Sequence, residues 1–305
     1  MRIAVITPVS HLPGIIELLK SKGELFLLEE GSKKEVRSLL LSSKIDTIVC
    51  NPNQQTFTID ESLLTGTTVK VINSCSTGLN HIDTKYCEQN NIEIQCHKND
   101  YDLINQLPST SELAFGLMLS LLRKIPDSNL HVSSYKWDYT KFLGRQVKDL
   151  KIGIVGYGRL GRMMDKFCRA FDAKTFLYDP YVDVEQTSLE DMVKICDVIS
   201  LHVHVTPETV NLINKRILDL SQKDLYIINT SRGDIVNEVD IVNALYGGSL
   251  TGYATDVIKH EFGSLSISPI ITAMNKGMNI IATPHTGGMT LEGQLKAYKW
   301  SISKL

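Results

Sequence analysis

An α/β protein built on two open parallel sheets is what this chain of 305 residues predicts. Short apolar runs alternate with helical patterns over the first hundred residues, and the alternation resumes at Lys151. These runs lack strict two-residue alternation, as strands covered on both faces should. The string KIGIVGYGRLG at 151–161 passes from an apolar strand through a glycine-rich turn into an amphipathic helix. The expected architecture is two Rossmann-like or flavodoxin-like domains with a cleft between them.

In the first domain, strands are expected at 2–6, 25–28, 47–50, 70–73 and 92–96, with helices at 14–19, 33–41 and 81–89. A long apolar helix at 111–123 has Ser111 or Thr110 as its cap, and Pro126 follows its end. Residues 127–147 have weak periodicity and carry Trp137, which suits a linker, an oligomerisation arm, or both. The second pattern places strands at 152–155, 176–178, 198–203, 225–229, 253–257 and 279–283. Its helices fall at 160–171, 189–194 and 238–246. In the first of these, Leu160, Met163, Met164, Phe167, Cys168 and Phe171 line one stripe. A final helix at 291–305 is expected to return to the first domain. The expected division is 1–99 plus 290–305 against 100–289.

Composition narrows the partners. With 43% hydrophobic residues and a formal net charge of -2, the chain has material for cores and no charge surplus. Neither nucleic acid nor a membrane is expected as a partner. Six cysteines without a CxxC pair read as buried free thiols of a reducing compartment. The opening MRIAVITPVS turns polar too early for a secretory signal, and the apolar stretch at 113–122 is too short to span a bilayer. A cytoplasmic protein is expected, with no appended regulatory domain.

Gly156, Gly158 and Gly161 form a GxGxxG pattern in the strand–turn–helix context that it requires. Gly156 permits the tight turn, Gly158 lets a pyrophosphate approach the backbone, and Gly161 allows close packing. The helix N-terminus offers N–H groups to phosphates. Asp179 ends the next expected strand, where a carboxylate accepts from ribose hydroxyls and repels an added 2′-phosphate. NAD (NADH) is therefore favoured over NADP. The candidate cofactor positions are Gly156, Gly158, Arg159, Leu160, Asp179, Val205, Thr206, Thr230, Asp256 and His285.

Arg232, Glu261 and His285 each follow an expected strand, so they can converge on one edge of a parallel sheet. Reduction of a 2-oxo acid needs a cation, a proton donor and a group that tunes the donor. The planar fork of Arg232 supplies the first. His285 supplies the second, because imidazole exchanges protons near neutrality. Glu261 can orient and charge-stabilise His285. No GxSxG elbow supports a serine hydrolase. His202 and His204 have no third ligand in view, so no metal is expected.

These strings resemble the D-isomer-specific 2-hydroxyacid dehydrogenase family: STGLNHID at 76–83, GIVGYGRLG at 153–161, LHVHVTPET at 201–209, NTSRGDIV at 229–236, ATDVIKHE at 254–261 and TPHTGG at 283–288. The resemblance covers nearly the whole chain. It implies a catalytic domain with an inserted NAD-binding domain, a homodimer, and Arg232, Glu261 and His285 as the catalytic set. It also implies that Ser76, Thr77 and Gly78 bind the substrate carboxylate together with Arg232. The chain departs from the common pattern at His204 and Phe262, where proline is usual. The run NPNQQTFT at 51–58 holds amides and Phe57 but no Lys or Arg. That favours a small unphosphorylated 2-oxo acid, such as glyoxylate or hydroxypyruvate, over 3-phosphohydroxypyruvate. An NAD(H)-binding regulatory or sensor protein with little turnover, and oxidation of a formate-like donor, are the alternatives on the same fold.

Overall fold

Apolar runs that bury both faces become the central strands of two sheets. The computed structural model describes residues 1–52, 57–222, 224–261 and 264–305. The chain divides into two units, Met1–Leu107 with Met289–Leu305, and Pro108–Gly288.

In the first unit the order is β1 (Arg2–Val5), α1 (Ile15–Lys20), β2 (Glu24–Leu27), α2 (Lys33–Ser42), β3 (Thr47–Cys50), α3 (Glu61–Leu64), β4 (Val71–Ser74), α4 (Thr84–Gln89), β5 (Glu93–Gln95) and α5 (Tyr101–Ile104). Among the described residues the strands form one parallel sheet in the order β2-β1-β3-β4-β5. Every residue of β3 is buried, which suits its central place. Local chemistry sets the helix starts. Ser32 and Glu35 form a capping box at α2, and Asp83 accepts from the Tyr86 N–H at α4.

The second unit contains α6 (Ser109–Leu122), α7 (Ile125–Ser133), β6 (Lys151–Val155), α8 (Arg159–Ala170), β7 (Lys174–Tyr178), α9 (Leu189–Ile195), β8 (Val198–Leu201), α10 (Lys215–Leu218), β9 (Tyr226–Asn229), α11 (Glu238–Gly247), β10 (Gly252–Thr255), α12 (Pro269–Asn275) and β11 (Ile280–Ala282). Its parallel sheet runs β11-β10-β9-β8-β6-β7, so the strand order reverses between β6 and β8. Ligands of open α/β sheets bind at the carboxyl ends of the strands flanking such a reversal. The last helix, α13 (Leu291–Ser303), belongs to the first unit, where Tyr298 and Ile302 join the core of Ile3, Val5, Ile15 and Leu19. Asn73 and Ser301 lock it there: Asn73 Nδ2 donates to Ser301 O at 2.9 Å, and Ser301 Oγ donates to Asn73 Oδ1 at 2.5 Å.

Several details differ from expectation. Residues 100–107 lie in the first unit, because α5 packs on α13 and Lys304 Nζ reaches Asp100 at 2.5 Å. Helix α6 starts at Ser109 after Pro108, without a side-chain cap. The Ser111 hydroxyl instead donates to Leu160 O at 3.0 Å. Pro126 sits in the first turn of α7, where its missing N–H costs nothing. The expected linker at 127–147 therefore begins as a helix.

His81 is only 6% exposed, and burial pushes its imidazole down to about 4. In an unfolded chain the same group titrates near ~6.5. The folded value is the lower one, so the unfolded chain takes up the proton first. The stability that neutral His81 preserves is complete above pH ~6.5 and is lost as pH falls toward 4. Between pH ~6.5 and ~5 this amounts to about 2 kcal/mol. Replacing His81→Gln should flatten that part of the pH dependence of urea unfolding; an equally steep dependence in the variant would exclude His81 as its source.

Candidate functional site

The glycine turn after β6 is shaped by close approach. Gly156 has φ +91, and a Cβ there would come within 2.5 Å of His202 O. A Cβ on Gly161 would lie 1.9 Å from Gly156 O. At Gly158 a Cβ would meet open space, beside the start of α8, which has no side-chain cap. Asp179, just past β7, accepts from Tyr157 N at 2.7 Å and from Tyr181 N at 3.0 Å, one bond on each oxygen. A carboxylate has about four acceptor directions, so two remain for ribose hydroxyls.

At the neighbouring strand ends, His202 Nδ1 after β8 and Thr230 Oγ1 after β9 are buried without a partner among the described residues. The other ring nitrogen of His202 meets Ser200 Oγ at 2.8 Å, and burial pushes the imidazole down to about 4. Buried polar atoms rarely stay unpaired. The glycine cradle, the Asp179 carboxylate and these two atoms fit a bound dinucleotide.

The other candidate residues follow β9, β10 and β11, three neighbouring parallel strands. Wholly buried Asn229 shapes the first loop: its Oδ1 accepts from Ser231 N and its Nδ2 donates to Arg232 O, both at 3.0 Å. Ser231 Oγ donates to Leu201 O at 2.7 Å, tying this loop to β8. Half-buried Arg232 donates through Nη1 to Ser231 O at 2.7 Å, leaving the rest of its fork for an anion.

The next residue, Gly233, joins this loop to the one after β10. A Cβ there would come within 2.2 Å of Ile258 C and 2.3 Å of Lys259 N. Glu238 steadies the same segment, with Oε1 accepting from Lys259 N at 2.8 Å and Oε2 from Ser268 Oγ at 3.4 Å.

That segment carries Glu261, and both its carboxylate oxygens lie 3.1 Å from His285 Nδ1. An ionised carboxylate only accepts, so Nδ1 carries the hydrogen and Nε2 is left to exchange a proton elsewhere. His285 itself has φ 54, the left-handed region that a residue with a Cβ adopts at a cost. The turn is held by Asp256, which is 2% exposed. Its Oδ1 accepts from Thr283 Oγ1 at 2.5 Å and Thr286 N at 2.8 Å, and its Oδ2 from Gly287 N at 2.8 Å.

The structure thus brings Glu261 and His285 into contact and places Arg232 on the adjoining loop. Asp256, expected as a cofactor residue, anchors the turn that carries His285. Arg159 begins α8, and Leu160 O receives the Ser111 hydroxyl. Val205 and Thr206 lie in an irregular turn in which Thr206 N donates to Thr209 Oγ1 at 2.8 Å. His204 is exposed, and its carbonyl accepts from Thr209 Oγ1 at 2.6 Å. Phe262 lies outside the described residues.

Ser76, Thr77 and Gly78 follow β4 in the first unit. None of their three backbone N–H groups finds an acceptor among the described residues. Such N–H groups are available as hydrogen-bond donors to an anion. Sequence reasoning missed Asn229, His202 and Glu238. Only the place of His202 at a strand end beside the glycine turn could have signalled a role.

A family model described as D-isomer specific 2-hydroxyacid dehydrogenase, NAD binding domain, matches residues 115–287. D-3-phosphoglycerate dehydrogenase of Bacillus subtilis is 30% identical over 237 residues, which cover 75% of this chain and 43% of that protein. The protein of the same name from Archaeoglobus fulgidus is 28% identical over 305 residues, covering 97% of this chain and 55% of its own. The chain therefore spans about half the length of these curated relatives. D-lactate dehydrogenase from Aquifex aeolicus, solved with NAD and lactic acid, has a TM-score of 0.77 at 24% identity, covering 100% of this chain and 94% of that one. That likeness shows a shared fold.

Adding a methyl group at Gly161 forces the turn open. Overpacking of this kind costs about 1–3 kcal/mol, so Gly161→Ala should weaken NADH binding about tenfold or more. A fluorescence titration measures it, and unchanged affinity would refute the cradle.

Proposed function

Because the chain belongs to the D-isomer specific 2-hydroxyacid dehydrogenase family, with its second unit as that family's NAD-binding domain, we propose that it interconverts a small 2-oxo acid and its D-2-hydroxy acid. The observation that carries this reading is the Glu261–His285 pair on the loops next to Arg232. When bound, NADH would supply the hydride for the oxo carbon. His285 delivers the proton from Nε2 to the carbonyl oxygen, and Glu261 steadies the imidazolium through Nδ1. Arg232 pairs with the substrate carboxylate and polarises the carbonyl. In the first unit, the N–H groups of Ser76, Thr77 and Gly78, which have no acceptor among the described residues, are the donors we propose for a substrate carboxylate. The Asp179 carboxylate favours NAD over NADP.

For the substrate we propose glyoxylate or hydroxypyruvate. The run at 51–58 offers no cation for a distal phosphate; its residues 53–56 lie outside the described residues. The curated relatives named above favour a second reading, oxidation of 3-phosphoglycerate. The six free thiols, five of them buried, suit a reducing compartment such as the cytoplasm. Among the described residues no helix is long and apolar enough to cross a membrane.

We assign a homodimer to the arm that begins with α7. Tyr135, Trp137, Tyr139 and Leu143 are 101%, 86%, 85% and 85% exposed. Soluble monomers rarely leave such a run uncovered. A second copy of the same arm is its self-complementary partner.

Three measurements check this. His285→Ala should cost about 10²–10⁴ in turnover, far more than any change in NADH affinity, and equal turnover would remove its acid role. A screen of 2-oxo acids by NADH absorbance should favour glyoxylate or hydroxypyruvate. Preference for 3-phosphohydroxypyruvate would favour the second reading, and tight NADH binding without turnover would point to a sensor. Trp137→Glu should shift the protein toward monomer in analytical ultracentrifugation; a wild-type monomer would end the dimer proposal.

A further inference from the structure

A row of hydrogen bonds runs from the core of the first unit to the loop at 76–78. His81 Nε2 lies 3.1 Å from Ser74 Oγ and 3.5 Å from Cys50 Sγ. Ser74 Oγ lies 2.9 Å from Ser76 Oγ, and Ser76 Oγ donates to Gly78 O at 2.8 Å. Ser74 is wholly buried and His81 nearly so, whereas Thr77 is exposed.

The far end of the row sets its polarity. A carbonyl only accepts, so the single proton of Ser76 goes to Gly78 O. Ser76 Oγ then accepts from Ser74, and Ser74 Oγ accepts from His81 Nε2–H. The neutral imidazole is therefore protonated on Nε2. Its Nδ1, without a partner among the described residues, keeps a lone pair and leaves no N–H unpaired. Burial pushes this imidazole down to about 4, which keeps it neutral near pH ~7. The other side of the loop is tied by His97 N, which donates to Ser76 O at 2.9 Å. The carbonyls of Ser76 and Gly78 are thus both held by the protein, while the three N–H groups of the loop have no acceptor among the described residues.

We infer that His81 is a positioning residue: through Ser74 and Ser76 it fixes the Gly78 carbonyl and so presents the N–H groups of 76–78 to the carboxylate of the 2-oxo acid. This rests on the proposed reading of that loop as a carboxylate site. His81 does not itself touch the substrate, so its loss should appear in substrate affinity and leave the cofactor side alone.

The test compares His81→Leu, which removes the donor, with His81→Gln, whose amide N–H can replace it. Steady-state kinetics of the full chain should show KM for the preferred 2-oxo acid rising about tenfold in the Leu variant, as loss of one well-placed hydrogen bond implies. Its kcat and NADH affinity should stay near wild type, and the Gln variant should restore KM. Equal increases in both variants would reduce His81 to packing, and no increase in either would overturn the proposal. Hydrogen exchange at the His97 amide gives a readout without turnover: faster exchange is expected in the Leu variant only. If the wild-type enzyme reduces no 2-oxo acid, the functional reading falls, and the exchange comparison still decides whether His81 orders the loop. Should His81→Leu fail to fold, Ser76→Ala breaks the row at its other end, with the same expected rise in KM and faster His97 exchange; unchanged values there would also overturn the proposal.

Discussion

The buried carboxylate of Asp256 gathers the hydroxyl of Thr283 and the backbone N–H groups of Thr286 and Gly287. Charge-assisted hydrogen bonds of this kind contribute about 1.5–3 kcal/mol each. Together they outweigh the roughly 1–3 kcal/mol that a non-glycine residue with positive φ can cost. His285 is held in that conformation, and its backbone N–H donates to Asp256 O at 3.0 Å. Its side chain then meets Glu261 with one defined nitrogen. Without the anchor, the turn relaxes and the pair loses its geometry.

The supporting loops obey the same logic of close backbone approach. Parallel strands joined by helices put every β-to-α loop on one sheet edge, which is how residues as distant in sequence as 232, 261 and 285 come to adjoining loops. Gly233 lets the Arg232 loop press on the backbone at 258–259, and Glu238 fixes that backbone from the start of α11. The loops of this site are held to one another as well as to their strands.

The strand pattern and the motifs were legible because they depend on local composition. Wholly apolar runs such as Ile48–Val49 and Ile227–Ile228 must lie inside a covered sheet, and GxGxxG after a strand needs its glycines for backbone space. The four-residue helix α10 was not legible, since a single turn gives too few residues for a period to show. The start of α6 was misplaced because Ser111 bonds to Leu160, 49 residues away, and not to its own helix. Glu238 carried no local mark, because it acts on a segment that only folding brings to it; Asn229 shapes its own loop, but a buried amide at a strand end has no sequence pattern to mark it.

What the sequence alone determined is the class of fold, the order of the chemistry-bearing residues and the strand end after which each one sits. Those follow from hydrophobic periodicity and from the conformational needs of glycine, both local properties. The tertiary structure decided which nitrogen of His285 faces Glu261, that Asp256 anchors the turn, that Gly233 is a point of contact between loops, and that His81 stands at the head of a hydrogen-bonded row. Hydrogen-bond pairing and proton placement depend on which atoms meet across separate elements, and packing, not neighbourhood in the chain, sets those meetings.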